Sequence, residues 1–254
     1  GTQPAICRDR APKEGTGRSR IYPLQRSGCG GVALGKVYGG SPKNKSVALT
    51  FDDGPGPYTQ QVLDILAAND VHATFFEVGE QVPAYPSVVR SVITSGNELG
   101  NHTMHHSVGA GLGDLRETNS LIEAASGFRP CMFRPPYGVI TGTSLAAAAA
   151  LRMATVVWNV DTEDYTLPGA DVIFRRATAV QPGSIVLMHD GGGDRSQTVA
   201  ALPRIIDNLK SRGYDLVTMT RLLGGHFQIS EDRGRHSRPA LPPPAPFPLE
   251  REGP

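Results

Sequence analysis

Strand-like and helix-like segments alternate along most of the chain, and this alternation restricts its fold more than any other feature. Seven apolar segments of strand length are separated by six segments with helical periodicity. The strand-like segments are 46–51, 71–79, 97–102, 131–136, 154–160, 183–190 and 214–219, and the helix-like segments are 58–70, 87–96, 115–127, 143–153, 170–180 and 196–213. Mostly apolar strands that alternate with helices are typical of a parallel α/β architecture. No glycine-rich dinucleotide loop follows the first strand, which favours a closed or nearly closed barrel over an open sheet.

The two ends of the chain differ from this alternating core. Residues 1–45 are rich in Gly, Arg, Ser and Pro and lack apolar periodicity, so we predict an irregular N-terminal extension. Proline is dense from Arg238 onward, so we predict that residues 225–254 form a Pro-rich, extended or disordered C-terminal tail. A chain of 254 residues can bury one sizeable core. We therefore predict one folded domain over residues 46–224.

Charge and hydropathy restrict the partners of the chain. A net charge of +1 gives no overall field that would gather nucleic acid, so no nucleic-acid partner is expected. The longest low-charge run, 144–160, is interrupted by Arg152 and is too short and alanine-rich to span a bilayer. The chain begins with Gly and shows no signal-peptide pattern, which suggests that it is processed or trimmed.

Three cysteines are too few and too widely spaced for a thiolate metal site. Cys7 and Cys29 are candidates for a disulfide in an oxidising compartment, which leaves Cys131 as a buried thiol beside a strand. The alternative is that all three are unpaired small hydrophobic residues.

Acidic, histidine and arginine residues collect at or just after the predicted carboxyl ends of strands. They are Asp52, Asp53, His102, His106, Arg134, Asp161, Asp164, His189 and Asp190. In barrels of this type those strand ends converge on one rim, where functional sites are built. We therefore predict that residues distant in sequence form one site at this rim.

Two of these segments together suggest a metal site. His102 and His106 are four residues apart, so on a helical turn both rings lie on one face and can bind one ion, whereas His105 points away. One carboxylate of Asp52–Asp53 would complete an Asp-His-His set, and the other would accept a proton from water. The alternatives are two surface or capping histidines and an Asx-type turn, which explains one aspartate better than two.

Three further segments carry groups suited to acid–base chemistry. Arg134 in "FRPPYG" can hold a carboxylate, and the prolines stiffen the chain so that the Tyr137 main-chain N–H is presented as a donor. His189 ends an apolar strand, and Asp164 would raise its pKa and orient its ring. Taken singly, these segments also fit a rigid loop and a structural histidine.

Five motifs in this order, "TFDDGP", "HTMHH", "RPPY", "DTEDY" and "VLMHD", resemble the signature motifs of the polysaccharide deacetylase family, carbohydrate esterase family 4, with its NodB-homology domain. The resemblance covers roughly residues 46–223 and leaves both ends uncovered. It implies an α/β fold, a distorted (β/α) barrel of the NodB-homology type, that removes acetyl groups from N-acetylated or O-acetylated sugars.

The resemblance also implies a role for each site residue. The implied metal ligands are Asp53, His102 and His106, with Zn²⁺ as the expected cofactor and Co²⁺ or another divalent metal as alternatives. The implied catalytic residues are the general base Asp52, the Arg134 that holds it, the oxyanion donor Tyr137, the general acid His189 and the Asp164 that tunes His189. Tyr165 and Leu187 are assigned to the substrate groove.

Two positions depart from the family pattern. Its fourth motif commonly has Trp and then a basic residue where this chain has Tyr165 and Thr166, and the segment 107–133 is glycine-rich and short. The favoured function is deacetylation of N-acetylglucosamine-containing glycans such as chitin oligomers or peptidoglycan. An acetylxylan esterase and a catalytically silent glycan-binding module are the alternatives. We expect a secreted or envelope-associated monomer whose partner is its glycan substrate.

Overall fold

The computed structural model describes residues 28–30, 35–41 and 43–228. The strands in this part of the chain are β1 (Gly28–Gly30), β2 (Lys36–Val37), β3 (Ser46–Gly54), β4 (Thr74–Glu77), β5 (Glu98–Asn101), β6 (Met132–Phe133), β7 (Ala154–Val156), β8 (Val160–Asp161), β9 (Ile185–His189), β10 (Asp215–Leu216) and β11 (His226–Gln228). The α-helices are α1 (Thr59–Ala68), α2 (Pro86–Thr94), α3 (Leu112–Ser126), α4 (Gly142–Ala150), α5 (Ala170–Ala177), α6 (Ser196–Ser211) and α7 (Met219–Leu222). Short 3₁₀ turns lie at Gly79–Ala84, Pro136–Gly138 and Asp164–Thr166.

One parallel sheet has the strand order β2-β7-β6-β5-β4-β3-β9-β8, and β10 pairs with the start of β3. Only residues 157–159 separate β7 from β8, although these strands lie near opposite ends of that order. A chain of this length spans at most about 14 Å. The sheet therefore curls until its two ends approach each other, while no pairing between described residues joins β7 to β8. This confirms the distorted (β/α) barrel.

The faces of β3 show how the barrel is built. Val47, Leu49 and Phe51 face outward into the main core, where the helices cover the sheet. Ala48 faces inward and packs in a second apolar cluster that includes Phe76. Because side chains alternate along a strand, Thr50 and Asp52 continue the inner face toward the carboxyl end. Burying each large apolar side chain contributes roughly 1.5–3 kcal/mol, so the helical shell holds this strand firmly.

Strands also occur in the two segments that were expected to be irregular. β2 pairs with β7 in the main sheet, so the sheet begins before residue 46, the expected start of the domain. β11 pairs antiparallel with β1 and lies at the start of the expected tail. The rest of that tail, and most of residues 1–45, lie outside the described residues.

Two strand predictions differ from the structure. The predicted strand 154–160 is divided into β7 and β8, and the predicted strand 214–219 is only β10, after which α7 begins. The N–H of Met219 donates to Thr74 Oγ1 and that of Thr220 to Glu98 Oε2, so buried side chains of β4 and β5 cap the start of α7. These tertiary hydrogen bonds override the β propensity of the local sequence.

Cys131 directly precedes β6, is partly buried and is disulfide-bonded. The sequence analysis offered a Cys7–Cys29 disulfide or three unpaired cysteines. Both alternatives left Cys131 as a free thiol, and both are wrong on this point. The reason is that spacing along a chain does not reveal which cysteines the fold brings together. Cys7 and the side chain of Cys29 lie outside the described residues, but with three cysteines in the chain a disulfide at Cys131 and a Cys7–Cys29 bond cannot form together.

A search of the described helices finds none with the length and apolar character needed to cross a membrane.

Candidate active site

A bulge at the end of β3 brings two adjacent carboxylates to one cavity. The pairing of β3 with β4 shifts between Asp52 and Gly54, so Asp53 lies out of register, with φ of 68°. Adjacent side chains in a regular strand point to opposite faces, whereas a bulge redirects one of them. Asp52 and Asp53 therefore both line the same cavity.

Asp53, His102 and His106 form a candidate metal site. Asp53 Oδ1 lies 3.4 Å from His102 Nε2 and 3.3 Å from His106 Nε2. One ligand atom from each residue lies within 4.8 Å of the other two. The rings converge from a loop rather than from the predicted helical turn, because Thr103 and His106 have positive φ. His105 points away from this cluster and contacts Glu80 instead.

The chemistry of these three groups fits a divalent cation. Asp53 Oδ1 is buried and has no hydrogen-bond partner among the described residues. Burial alone would raise the pKa of Asp53, but the nearby His102 imidazole outweighs it and lowers this pKa to about 2. Burial, followed by the charge of His102, lowers the pKa of His106. A carboxylate oxygen beside two imidazole nitrogens is a donor set that Zn²⁺ prefers.

The main chain at Arg134 orients the first histidine. His102 Nδ1 lies 2.8 Å from the carbonyl oxygen of Arg134, to which it donates when Nδ1 carries the proton. Nε2 then presents a lone pair toward Asp53. Metal-binding histidines are generally fixed in this way by their second nitrogen.

The Arg134 side chain holds Asp52. Arg134 is fully buried inside the barrel, its Nη1 donates to Asp52 Oδ1 at 2.7 Å, and its guanidinium lies 4.1 Å above the Phe76 ring. Burial lowers the pKa of Arg134, and Asp52 acts in the opposite direction. The second oxygen of Asp52 remains directed toward His102, at 3.6 Å from Nε2.

His189 faces Asp52 from the neighbouring strand, since the two residues are paired in the β3–β9 register. Its Nδ1 lies 2.7 Å from Asp164 Oδ1, and its main-chain N–H donates to Asp164 Oδ2. Burial lowers the pKa of His189, but the hydrogen bond and charge of Asp164 outweigh it, so this pKa lies above its usual value. The arrangement places a carboxylate on one side of the cavity and an imidazole that readily carries a proton on the other.

Two cavities meet at this site. One, of about 350 Å³, is lined by Asp52, Asp53, His102, His106, Tyr137, Trp158, Asp161, Tyr165, Leu187 and His189. The other, of about 440 Å³, is lined by Asp53, Pro55, Gly56, Pro57, Val78, Glu80, Gln81, Tyr85, His106, Tyr137 and Gly192. Tyr137 borders both cavities and is 70% exposed, and Tyr165 contacts the His189 ring. Eight of the ten predicted site residues line these cavities, and the other two, Arg134 and Asp164, bond to Asp52 and His189.

Three site residues have left-handed main-chain conformations that bulky side chains rarely adopt. Their φ values are 68° for Asp53, 51° for His106 and 58° for Tyr137. Each such conformation costs roughly 1–3 kcal/mol and persists only where the surrounding fold imposes it. The sequence carries no pattern that would have predicted these left-handed conformations.

Sequence reasoning did not identify several supporting residues. Thr50 accepts from Arg134 at 2.8 Å, and Thr198 donates to Asp164 at 2.7 Å. The indole N–H of Trp158 donates to Asp161, and both residues line the smaller cavity. Thr50 was detectable in principle, because it lies two residues before Asp52 on the same strand face.

A second acidic pair lies buried beneath the site. A Cβ atom on Gly54 would lie 2.7 Å from Asp190 Oδ2 and 2.8 Å from Glu77 Oε2, so both carboxyl groups pack against this glycine. Burial, with the charges of Asp190 and Asp52, raises the pKa of Glu77 well above its usual value. Burial also raises the pKa of Asp190 to about 7, despite a hydrogen bond from Thr59. Burial therefore favours the protonated form of both carboxyl groups.

A parallel α/β barrel that collects carboxylates, histidines and candidate metal ligands on one rim has groups suited to hydrolysis. Residues 39–156 match the family described as polysaccharide deacetylase. A peptidoglycan-N-acetylglucosamine deacetylase of Bacillus cereus is 42% identical over 192 residues, which cover 72% of this chain and 90% of the relative. The chain belongs to the polysaccharide deacetylase family and is a deacetylase.

Other family members extend this comparison. A chitooligosaccharide deacetylase of Bradyrhizobium is 36% identical over 75% of this chain and 96% of its own length. The crystal structure of a CE4 family pseudoenzyme from Bacillus anthracis is 34% identical and superposes with a TM-score of 0.69, over 76% of this chain and 70% of the other. The relatives of this chain thus include proteins named as deacetylases and a pseudoenzyme.

Proposed function

We propose that this deacetylase is a metal-dependent hydrolase that removes the acetyl group from N-acetylglucosamine residues of a glycan such as chitooligosaccharide or peptidoglycan. The observation that carries the proposal is the position of Asp52 and His189 opposite each other in one register, beside the Asp53–His102–His106 cluster. A divalent cation held by that cluster, with Zn²⁺ as our proposal, would polarise the acetyl carbonyl and lower the pKa of water.

Asp52 is the general base in this proposal. Arg134 holds one of its oxygens, and the other faces the cavity close to His102. A carboxylate fixed in this way can accept the proton of an attacking water without first having to reorient.

Charge develops on the acetyl oxygen as water attacks, and we assign its stabilisation to the main-chain N–H of Tyr137. This residue follows two prolines and is fixed in an unusual conformation at the border of both cavities. A preorganised donor of this kind contributes about 3–4 kcal/mol to transition-state stabilisation.

His189 is the general acid, and Asp164 holds its ring through Nδ1 so that Nε2 is the proton donor. Transfer of this proton to the departing nitrogen gives acetate and a free amine. Tyr165 and Leu187 line the cavity that would receive the acetylated sugar, and the larger cavity beyond Tyr137 offers room for a neighbouring sugar.

We further propose that the protein acts as a monomer outside the cytoplasm or in the cell envelope. The disulfide at Cys131 supports this location, because such bonds persist in oxidising compartments. The B. cereus relative, whose name specifies peptidoglycan, points in the same direction.

Acetate release from chitooligosaccharides, peptidoglycan and acetylated xylan tests the proposal. We expect release from the N-acetylated glycans, loss of release with a chelator and recovery with Zn²⁺ or Co²⁺. Release from xylan alone would make the protein an O-deacetylase. No release from any substrate by metal-loaded protein would place it with the family's pseudoenzymes.

A further inference from the structure

Arg195 follows the glycine-rich turn after β9 and donates only to main-chain carbonyl groups of that turn in the described structure. Its Nε donates to the oxygen of Gly191 at 2.8 Å, its Nη2 to Gly192 at 3.1 Å and its Nη1 to Asp194 at 3.1 Å. Arg195 is only 5% exposed. A buried guanidinium bonded to three carbonyl groups of one turn fixes the shape of that turn, because its five donors have a rigid planar geometry.

The turn that Arg195 holds packs directly against Asp53. A Cβ atom on Gly191 would overlap the main-chain oxygen of Asp53, and one on Gly192 would lie 2.6 Å from Asp53 Oδ2. Only glycine permits this approach, and Gly192 also has a left-handed φ of 71°. With Gly192 against Oδ2, rotation of the carboxylate is restricted and Oδ1 stays directed toward His102 and His106.

We propose that Arg195 is a positioning residue for the metal ligand Asp53. By fixing the turn 191–193 it holds the Asp53 carboxylate in the orientation in which Oδ1 can ligate a divalent cation. Arg195 touches neither the candidate ligand atoms nor the cavity that receives the acetylated sugar. The inference rests on the metal site proposed above.

The size of the expected effect follows from other metal sites. Removing a group that orients a ligand without binding the metal typically weakens metal affinity by about 10- to 100-fold. Arg195→Gln leaves fewer donors for three carbonyl groups, so Zn²⁺ affinity should fall by about tenfold or more. Arg195→Lys keeps the charge but loses the planar geometry, so its affinity should fall to a value between those of the wild type and Arg195→Gln.

Competition with a chromophoric chelator measures Zn²⁺ affinity in the metal-free full chain. The control is Arg204→Gln, which removes an exposed arginine whose partner is Asp171 on α5. A second measurement is activity against Zn²⁺ concentration. Saturating Zn²⁺ should restore most of the turnover of Arg195→Gln with an unchanged KM for the glycan, which loss of folding would not produce.

The outcomes separate this inference from the proposed function. If the wild type binds no divalent cation, the metal site itself is wrong. If the wild type binds Zn²⁺ and both Arg195 variants bind it equally well, the positioning role is overturned. Variants that only lose melting temperature, or do not fold at any Zn²⁺ concentration, assign Arg195 a purely structural role and also overturn the inference.

Discussion

Arg134 and Asp52 form a buried ion pair at the centre of the barrel, with Arg134 Nη1 2.7 Å from Asp52 Oδ1. The same nitrogen donates to Thr50 on the strand that carries Asp52. The proposed base is therefore held by a side chain that lies far away in sequence. Its reactivity depends on the fold of two strands that are not adjacent in the sheet.

Asp52→Asn should remove the base while leaving the metal ligands in place. We expect turnover to fall by about 10²- to 10⁴-fold, because the neutral amide cannot accept the proton of water. Zn²⁺ affinity should change only severalfold. The variant also leaves the charge of Arg134 without its partner, so assays must be run well below its lowered melting temperature. Full activity in a folded variant would show that another group is the base.

The two histidines at positions 102 and 105 offer a matched test of the metal site. His102→Ala removes a candidate ligand and should weaken Zn²⁺ binding by at least about tenfold. His105→Ala removes only an exposed side chain that contacts Glu80, so its affinity should match the wild type. The Zn²⁺-dependent rise in melting temperature is an independent measurement, because a ligand that binds only the folded state stabilises it. An equal loss of Zn²⁺ affinity in both variants would contradict the assignment of His102 as a metal ligand.

Asp164→Asn should change the pH dependence of turnover. The Asp164 charge and hydrogen bond hold the pKa of His189 above its usual value despite burial, so their loss lowers this pKa. A general acid must carry its proton, and the alkaline limb of the rate profile should therefore move to lower pH. The measurement is turnover between pH 5 and 9, with Asp171→Asn on the exposed face of α5 as the control. An unmoved alkaline limb would argue against His189 as the acid.

Glu98→Gln should change how stability depends on pH. Burial raises the pKa of Glu98 to about 7, although hydrogen bonds from Thr220 and Thr74 act against it. Between the unfolded pKa near 4.5 and this folded value, the native state binds more protons than the unfolded state, so the stability contributed by Glu98 declines as pH rises. Relative to the Gln variant, the wild type should lose up to about 3 kcal/mol across this range. The measurement is the free energy of unfolding in urea for the wild type and Glu98→Gln at pH 5 and pH 8. The same difference between the two proteins at both pH values would contradict the prediction.

The sequence predicted the parts of the fold that depend on local patterns. Alternating apolar segments indicated parallel strands and helices, and the positions of charged residues after strands indicated that they share one rim. The sheet order, the division of 154–160 into β7 and β8 and the disulfide of Cys131 depend on contacts between distant segments, which no single window of sequence reports.

Within the site, residue types were more predictable than their geometry. The pair Asp52–Asp53 indicated two roles, but the bulge that turns both toward one cavity is set by the register with β4. Arg195 was not identified, because its partners are carbonyl groups that leave no chemical signature in a sequence. The buried Glu77 was missed because a glutamate within an apolar strand gives no sign of which residues surround it.

The positive φ of Tyr137 has a consequence for the evolution of the protein. A tyrosine held in a conformation that suits glycine or asparagine lowers the stability of the native state, and the surrounding barrel must compensate for it. Selection for heat resistance alone, with no demand for turnover, should therefore favour glycine at this position. Persistence of the tyrosine under such selection would mean that its ring serves the fold as well as the reaction.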